Sequence, residues 1–204
     1  MLLLITFVKY ETIKRPQSEI FEYLKVTMKQ SDAIQCLAAF DLRGRYVYSS
    51  KDMPKLFPGE SERSRQATIS RLVGSGILER PSKGVYIFSL SRHKGGDTIE
   101  QVAKTLRRGE YNYISLESAL SEYGVISQVP VGRITVVTTG RKGEYSTPYG
   151  VIEFTHTKRP ITDILDGVQD RGHPLRIATK ETALRDLRRV GRNIHLLDPE
   201  EARA

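Results

Sequence analysis

Residues 46–88 confine this chain more narrowly than any other stretch. They read YVYSSKDMPKLFPGESERSRQATISRLVGSGILERPSKGVYIF. Ser50 is placed to cap a short helix whose apolar side is Met53, Leu56 and Phe57, and Pro58-Gly59 breaks it. Ser61 opens a second helix, rich in arginine, that stops at Gly74 or Gly76. Ile77-Leu78-Glu79-Arg80, a Pro-Ser-Lys-Gly turn and Val85-Tyr86-Ile87-Phe88 follow as a hairpin. Helix, turn, helix and ribbon in this order predict a winged helix-turn-helix. Such a unit lays its second helix in the major groove of DNA and its ribbon on the backbone.

A helix turns by about 100° per residue. With Ile69, Leu72 and Val73 facing inward, Arg63, Ser64, Ala67, Ser70, Arg71 and Gly74 face outward. Small residues on that side allow close approach to a groove. Arg63 and Arg71 are placed to meet phosphates or guanine edges, where bidentate arginine is the commonest specific contact. Arg65 and Gln66 lie nearer the core face, but in the first turns, within reach of backbone phosphates that the helix N-terminus also attracts. Thr68 lies at the flank. In the ribbon, Arg80 and Lys83 bracket the turn, and Tyr86 offers a hydroxyl. Winged helices also serve as protein-docking modules. Here Arg63, Arg65, Arg71, Arg80 and Lys83 stand against Glu79 alone between residues 63 and 83, which favours a polyanion.

The charge of the whole chain has the same bias. The formal net charge is +8 over 204 residues. Residues 1–94 hold 16 Lys+Arg against 9 Asp+Glu, a net of +7, and residues 95–204 hold 16 against 15, a net of +1. Double-stranded DNA is therefore the expected partner of the first half. Cys36 is the single cysteine, which excludes an intramolecular disulfide and a cysteine-cluster zinc site, and its neighbours Ile34, Leu37 and Ala38 suggest a buried structural thiol. No run approaches the roughly 20 apolar residues of a membrane span, and residues 2–8 are too short and lack the preceding positive charge of a secretory signal. The cytoplasm is the expected location, with no membrane association.

The spacing predicts three regions. Residues 1–30 form an extension, helical over 18–29 through Ile20, Phe21, Leu24 and Met28, with Met28 as an alternative start. Residues 31–92 are the winged-helix unit, opening with a helix at Ser31-Asp32. A polar, glycine-rich linker over 91–97 leads to a second domain, residues 97–204. Ile99, Val102, Ala103 and Leu106 share one helical face, and Leu116, Ala119, Leu120 and Tyr123 another, capped by Ser115 and ended by Gly124. Residues 134–139 and 150–155 are β-branched strands separated by the basic loop Gly140-Arg141-Lys142-Gly143. Thr179 caps a last helix with Ala183, Leu184, Leu187 and Val190 inward and Arg185, Arg188, Arg189 and Arg192 outward. The fold class is thus α+β: a winged helix-turn-helix followed by a mixed α/β domain with a small sheet.

No catalytic constellation is legible, and no cofactor or metal is expected. His93, His156, His173 and His195 have no helical ligand spacing and no accompanying carboxylate cluster. Glu153, His156 and Lys158 lie near one strand end, as a metal-dependent nuclease would require, but strand alternation sets Glu153 opposite His156. Ser115 reads as a helix cap and not as a nucleophile. A chain that binds DNA and senses a small ligand in residues 97–190 is the alternative, and would need an apolar pocket with a few convergent polar groups.

Tyr113-Ile-Ser-Leu-Glu-Ser-Ala-Leu-Ser-Glu-Tyr-Gly124, Gln128-Val-Pro-Val-Gly-Arg-Ile-Thr-Val-Val137, Gly150-Val-Ile-Glu-Phe154 and Leu175-Arg-Ile-Ala-Thr-Lys-Glu-Thr-Ala-Leu-Arg-Asp-Leu187 follow one another in that order behind Gly84-Val85-Tyr86. This ordered set resembles the AbiEi family of type IV antitoxins over roughly residues 31–190. The resemblance implies a winged helix that represses its own toxin–antitoxin operon. It also implies a C-terminal domain that neutralises a nucleotidyltransferase-type toxin without a tight complex, and a strand running into the last helix.

Overall fold

The computed structural model describes residues 28–126 and 131–198. The extension expected over residues 1–30 lies outside them except for its last three residues, of which Gln30 already begins a helix. The chain divides into two compact units, residues 1–79 with 87–92 and residues 80–86 with 93–204. It is a mixed α+β protein, and among the described residues no helix is long and apolar enough to cross a membrane.

In the first unit, α1 (Gln30–Asp41) leads to β1 (Val47–Ser49), a 3-10 turn (Ser50–Asp52), α2 (Met53–Leu56) and α3 (Glu62–Gly74). The hairpin β2 (Leu78–Ser82) and β3 (Val85–Phe88), whose residues 80–86 are counted with the second unit, forms with β1 a three-stranded sheet in the order β1-β3-β2. Leu37, Tyr48, Met53, Leu56, Phe57, Leu72 and Ile87 are fully buried. Each large apolar side chain contributes about 1.5–3 kcal/mol when withdrawn from water. The short helix starts at Met53, with Asp52 at its N-cap position, and not at Ser50. The serine cap belongs to the 3-10 turn before it and is Ser49, because the Asp52 carboxylate accepts both the Ser49 amide (2.7 Å) and the Ser49 hydroxyl (2.8 Å). Arg45 donates to the other Asp52 oxygen at 2.7 Å, so this buried carboxylate is fully paired. Cys36 is half-buried and gives its thiol proton to the Leu56 carbonyl at 3.0 Å. Burial pushes the thiol above its ordinary pKa.

In the second unit, α4 (Thr98–Leu106), β4 (Asn112–Ile114), α5 (Leu116–Glu122), β5 (Arg133–Thr138), β6 (Gly143–Thr147) and β7 (Gly150–His156) follow in order. Then come α6 (Ile161–Asp166), β8 (Val168–Gln169), β9 (Arg176–Ala178) and α7 (Lys180–Val190). The expected small sheet is a six-stranded one in the order β6-β7-β5-β4-β9-β8. It is mixed: β5 pairs with β7 and β4 with β9 in parallel, and the other neighbours are antiparallel. Both faces of the sheet are buried: Val136, Ile152 and Phe154 lie on one and Val137 on the other, since neighbouring strand residues alternate.

One buried charge holds β4, the start of α5 and α7 together. Asp186 is 0% exposed. Its Oδ2 accepts the Ser115 hydroxyl at 2.8 Å and the Tyr113 hydroxyl at 3.1 Å, and Oδ1 ion-pairs with Arg159 at 2.8 Å. Burial first, and then the Asp186 charge, raise the Tyr113 phenol above its ordinary pKa, so it stays a proton donor. Ser115 therefore occupies the N-cap position of α5 without capping it, contrary to the sequence reading. The Ser118 amide, which such a cap would satisfy, donates instead to Thr135 Oγ1 at 3.1 Å. Between these contacts Leu116 sits at φ +58°, a left-handed conformation that costs a non-glycine residue about 1–2 kcal/mol. Its complete burial offsets that strain.

Removing one member of such a cluster leaves the others buried and unpaired. Asp186→Ala is expected to cost about 3–5 kcal/mol of unfolding free energy in urea denaturation. In an Arg159→Met background the same substitution should cost much less, since the orphaned cation is gone. Equal costs in both backgrounds would disprove this coupling.

Candidate nucleic-acid interface

The sequence places an arginine-bearing helix at residues 61–74, and α3 occupies Glu62–Gly74. Ser61 caps it, its hydroxyl accepting the Ser64 amide at 3.1 Å, an arrangement that stabilises a helix by about 1 kcal/mol. The buried side of α3 is Thr68, Ile69 and Leu72, with Val73 only half-buried. This is the expected face rotated slightly toward Thr68. The exposed side is consequently Arg63, Gln66, Ala67, Ser70, Arg71 and Gly74, an i, i+3, i+4, i+7, i+8, i+11 stripe.

Glu60 causes the rotation. From the turn before α3, its Oε1 accepts the Thr68 hydroxyl at 2.7 Å, the Ser64 hydroxyl at 3.4 Å and the Met28 amide at 2.7 Å. A satisfied hydroxyl is inexpensive to bury, so Thr68 turns inward and Gln66 outward. Three sequence expectations change with it, those for Thr68, Ser64 and Gln66. Thr68 is 0% exposed and does not present itself to a ligand. Ser64 is half-buried against Glu60. Arg65 is also half-buried and spends Nη1 on the Glu60 carbonyl at 3.0 Å. Gln66, which the sequence set toward the core, is exposed at the middle of the first turns. Arg71 remains exposed while donating one guanidinium proton to the Met28 carbonyl.

In the hairpin, Lys83 and Gly84 form the turn, and Gly84 adopts φ +80°, which favours glycine. Lys83 and Arg80 are exposed. Tyr86 is only 5% exposed, with the Arg80 guanidinium 5.9 Å from its ring centre. Its ring is thus a packing surface for the arginine, not the freely offered hydroxyl that the sequence suggested.

The second unit has a cleft of about 1370 Å³, lined among others by Arg133, Arg141, Lys142, Glu144, Glu153 and His156. Arg192, expected on the outer face of the last helix, points into this network instead. The reason is Gly191, whose φ of +75° ends α7 and turns the chain. Arg192 donates to both Glu117 oxygens (3.0 and 3.2 Å) and to Glu153, and Asn193 adds a bond to Glu117 at 2.8 Å. Arg133 takes the other Glu153 oxygen at 3.1 Å. Both Glu153 oxygens are therefore engaged, and His156 Nδ1 lies 2.8 Å from the Gly140 carbonyl. Arg185, Arg188 and Arg189 are exposed as expected. One grouping was invisible in the sequence. His173 Nδ1 lies 3.3 Å from Glu100 and 3.6 Å from Asp97, so a histidine does have accompanying carboxylates, across more than 70 residues of chain. Only the two clusters' shared unit, and no sequence spacing, brings these groups together.

No family model matches the chain, and no curated protein matches it. Among solved structures it is similar to the crystal structure of RV2827C protein from Mycobacterium tuberculosis, with a TM-score of 0.50 and 14% identity. The match covers 78% of this chain and 60% of that one, so this chain spans less than two thirds of its neighbour's length. At that identity the likeness is one of fold.

Proposed function

We propose that residues 31–92 are a winged helix-turn-helix that binds operator DNA. Residues 97–204 then act as the antitoxin part of a type IV system, neutralising a nucleotidyltransferase-type toxin without a tight complex. The protein works in the cytoplasm as an autorepressor and is not an enzyme. One observation carries the DNA-binding reading: the exposed stripe of α3. Ala67, Ser70 and Gly74 leave its centre low, while Arg63, Gln66 and Arg71 rise from it. A low centre lets the backbone approach a groove, and these three side chains are donors suited to base edges. Lys83 and Arg80, exposed on the hairpin, supply phosphate contacts in this reading. The antitoxin role rests on the AbiEi-like segments alone. A ligand-responsive regulator is less well supported, because the cleft of the second unit is lined by charged side chains, several already ion-paired with one another.

Arg63→Ala and Arg71→Ala should each weaken operator binding by about 1–3 kcal/mol and relax sequence preference, measured by fluorescence anisotropy on operator and random duplexes. Lys83→Ala should weaken both duplexes alike and lower the salt dependence. Equal losses on both duplexes for the arginines would reduce them to phosphate contacts. Absence of any salt-dependent binding by the full chain would remove the DNA reading altogether.

Repression and neutralisation should also separate. The double variant Arg63→Ala, Arg71→Ala is expected to lose repression in a promoter reporter while rescuing growth from an independent promoter during toxin co-expression. Leu120→Asp, which buries an unpaired charge in the second core, should lose rescue. If the double variant fails to rescue at matched protein levels, neutralisation depends on DNA binding and the division of labour is wrong.

A further inference from the structure

The cluster of Asp97, Glu100 and His173 is unused by the function proposed above. Its three potential ligand atoms all lie within 4.8 Å of one another. His173 Nδ1 is 3.3 Å from Glu100 Oε1 and 3.6 Å from Asp97 Oδ1. Ligands about 2.1 Å from a tetrahedral zinc ion are separated by about 3.4 Å, so the imidazole already stands at ligand spacing from both carboxylates.

The surroundings hold these donors in place. Asp97 occupies the N-cap position of α4 but makes no capping bond, and its carboxylate is turned to His173 instead. The turn into the helix is held by Thr98, whose hydroxyl oxygen accepts the Gly95 amide at 3.0 Å. The second oxygen of Glu100 accepts the Leu175 amide at 3.2 Å, which orients the first toward His173. Lys104 fastens the intervening Pro174 carbonyl at 2.9 Å. Outer contacts of this kind orient the ligands of metal sites.

We propose that Asp97, Glu100 and His173 form a binding site for a first-row divalent transition ion of the zinc class, with the remaining coordination positions taken by water. An imidazole among the donors favours such an ion over Mg²⁺ or Ca²⁺, which prefer all-oxygen shells. The ion fastens the start of α4, just beyond the glycine-rich linker, to the turn that precedes β9. It is a structural clasp, independent of the antitoxin reading.

The test uses the full chain with any purification tag removed. Calorimetric titration with ZnCl₂ should give one ion per chain with micromolar affinity. Co²⁺ should give the visible absorption of a site with nitrogen and oxygen donors. His173→Gln and Asp97→Asn are expected to weaken binding by about tenfold or more each, since loss of even an outer contact can cost that much. Both residues are partly exposed, so these variants should keep the wild-type circular dichroism. His195→Gln should bind as the wild type does. One equivalent of zinc should raise the melting temperature of the wild type and not of His173→Gln. Absence of stoichiometric binding, or binding unchanged in both His173→Gln and Asp97→Asn, would overturn the proposal.

Discussion

Asp186 is the constraint on which the second unit depends. A carboxylate withdrawn from water is costly unless it is paired, and here two hydroxyls bond to Oδ2 while the Arg159 guanidinium lies beside Oδ1 as an ion pair outside hydrogen-bond geometry. The partners come from the end of β4, the residue that opens α5, and the segment between β7 and α6. One side chain of α7 thus decides where a strand, two helices and a connecting loop must meet. A hydrophobic face can slide along a sheet by a residue at modest cost. A buried charge with three partners cannot, so it sets the register that the apolar core then fills.

Glu60 has the same logic on a smaller scale. By accepting the hydroxyls of Thr68 and Ser64, it sets the rotation of α3 about its own axis. That rotation selects which side chains meet solvent, and the exposed stripe from Arg63 to Gly74 follows from it. The position of a carboxylate in a turn thereby governs what a helix several residues away offers to a partner. Its other oxygen, buried, has no hydrogen-bond partner among the described residues.

Much of this was legible in the sequence, and the failures have physical causes. The helix from residue 62 to 74 was readable from Ser61, the apolar spacing and the glycines that follow. So were β5 and β7, to within a residue, from their β-branched runs. The strand β6 was not, because an edge strand with polar alternation, Glu144-Tyr145-Ser146-Thr147, has no apolar run to announce it. Thr68 escapes a periodicity argument because periodicity counts apolar residues and cannot foresee that Glu60 makes a hydroxyl easy to bury. Arg192 departs from the 100° rule because the helix ends at Gly191, before it. Ser115 reads as a cap because local sequence reveals only neighbours, and its partner Asp186 lies 71 residues away.

The ends of the six-stranded sheet bear on a different property. An open sheet presents unpaired amides and carbonyls along its outermost strands, and these recruit other chains into continuous ladders. At one border β8 is two residues long, too short to template another strand. At the other, β6 points Glu144 and Ser146 into solvent, and Arg141, Lys142 and Pro148 flank it. An incoming copy would have to bury like charges and accommodate a proline that donates no amide. The same polarity that hid β6 from a hydropathy reading is what guards the open sheet against growing into a fibre.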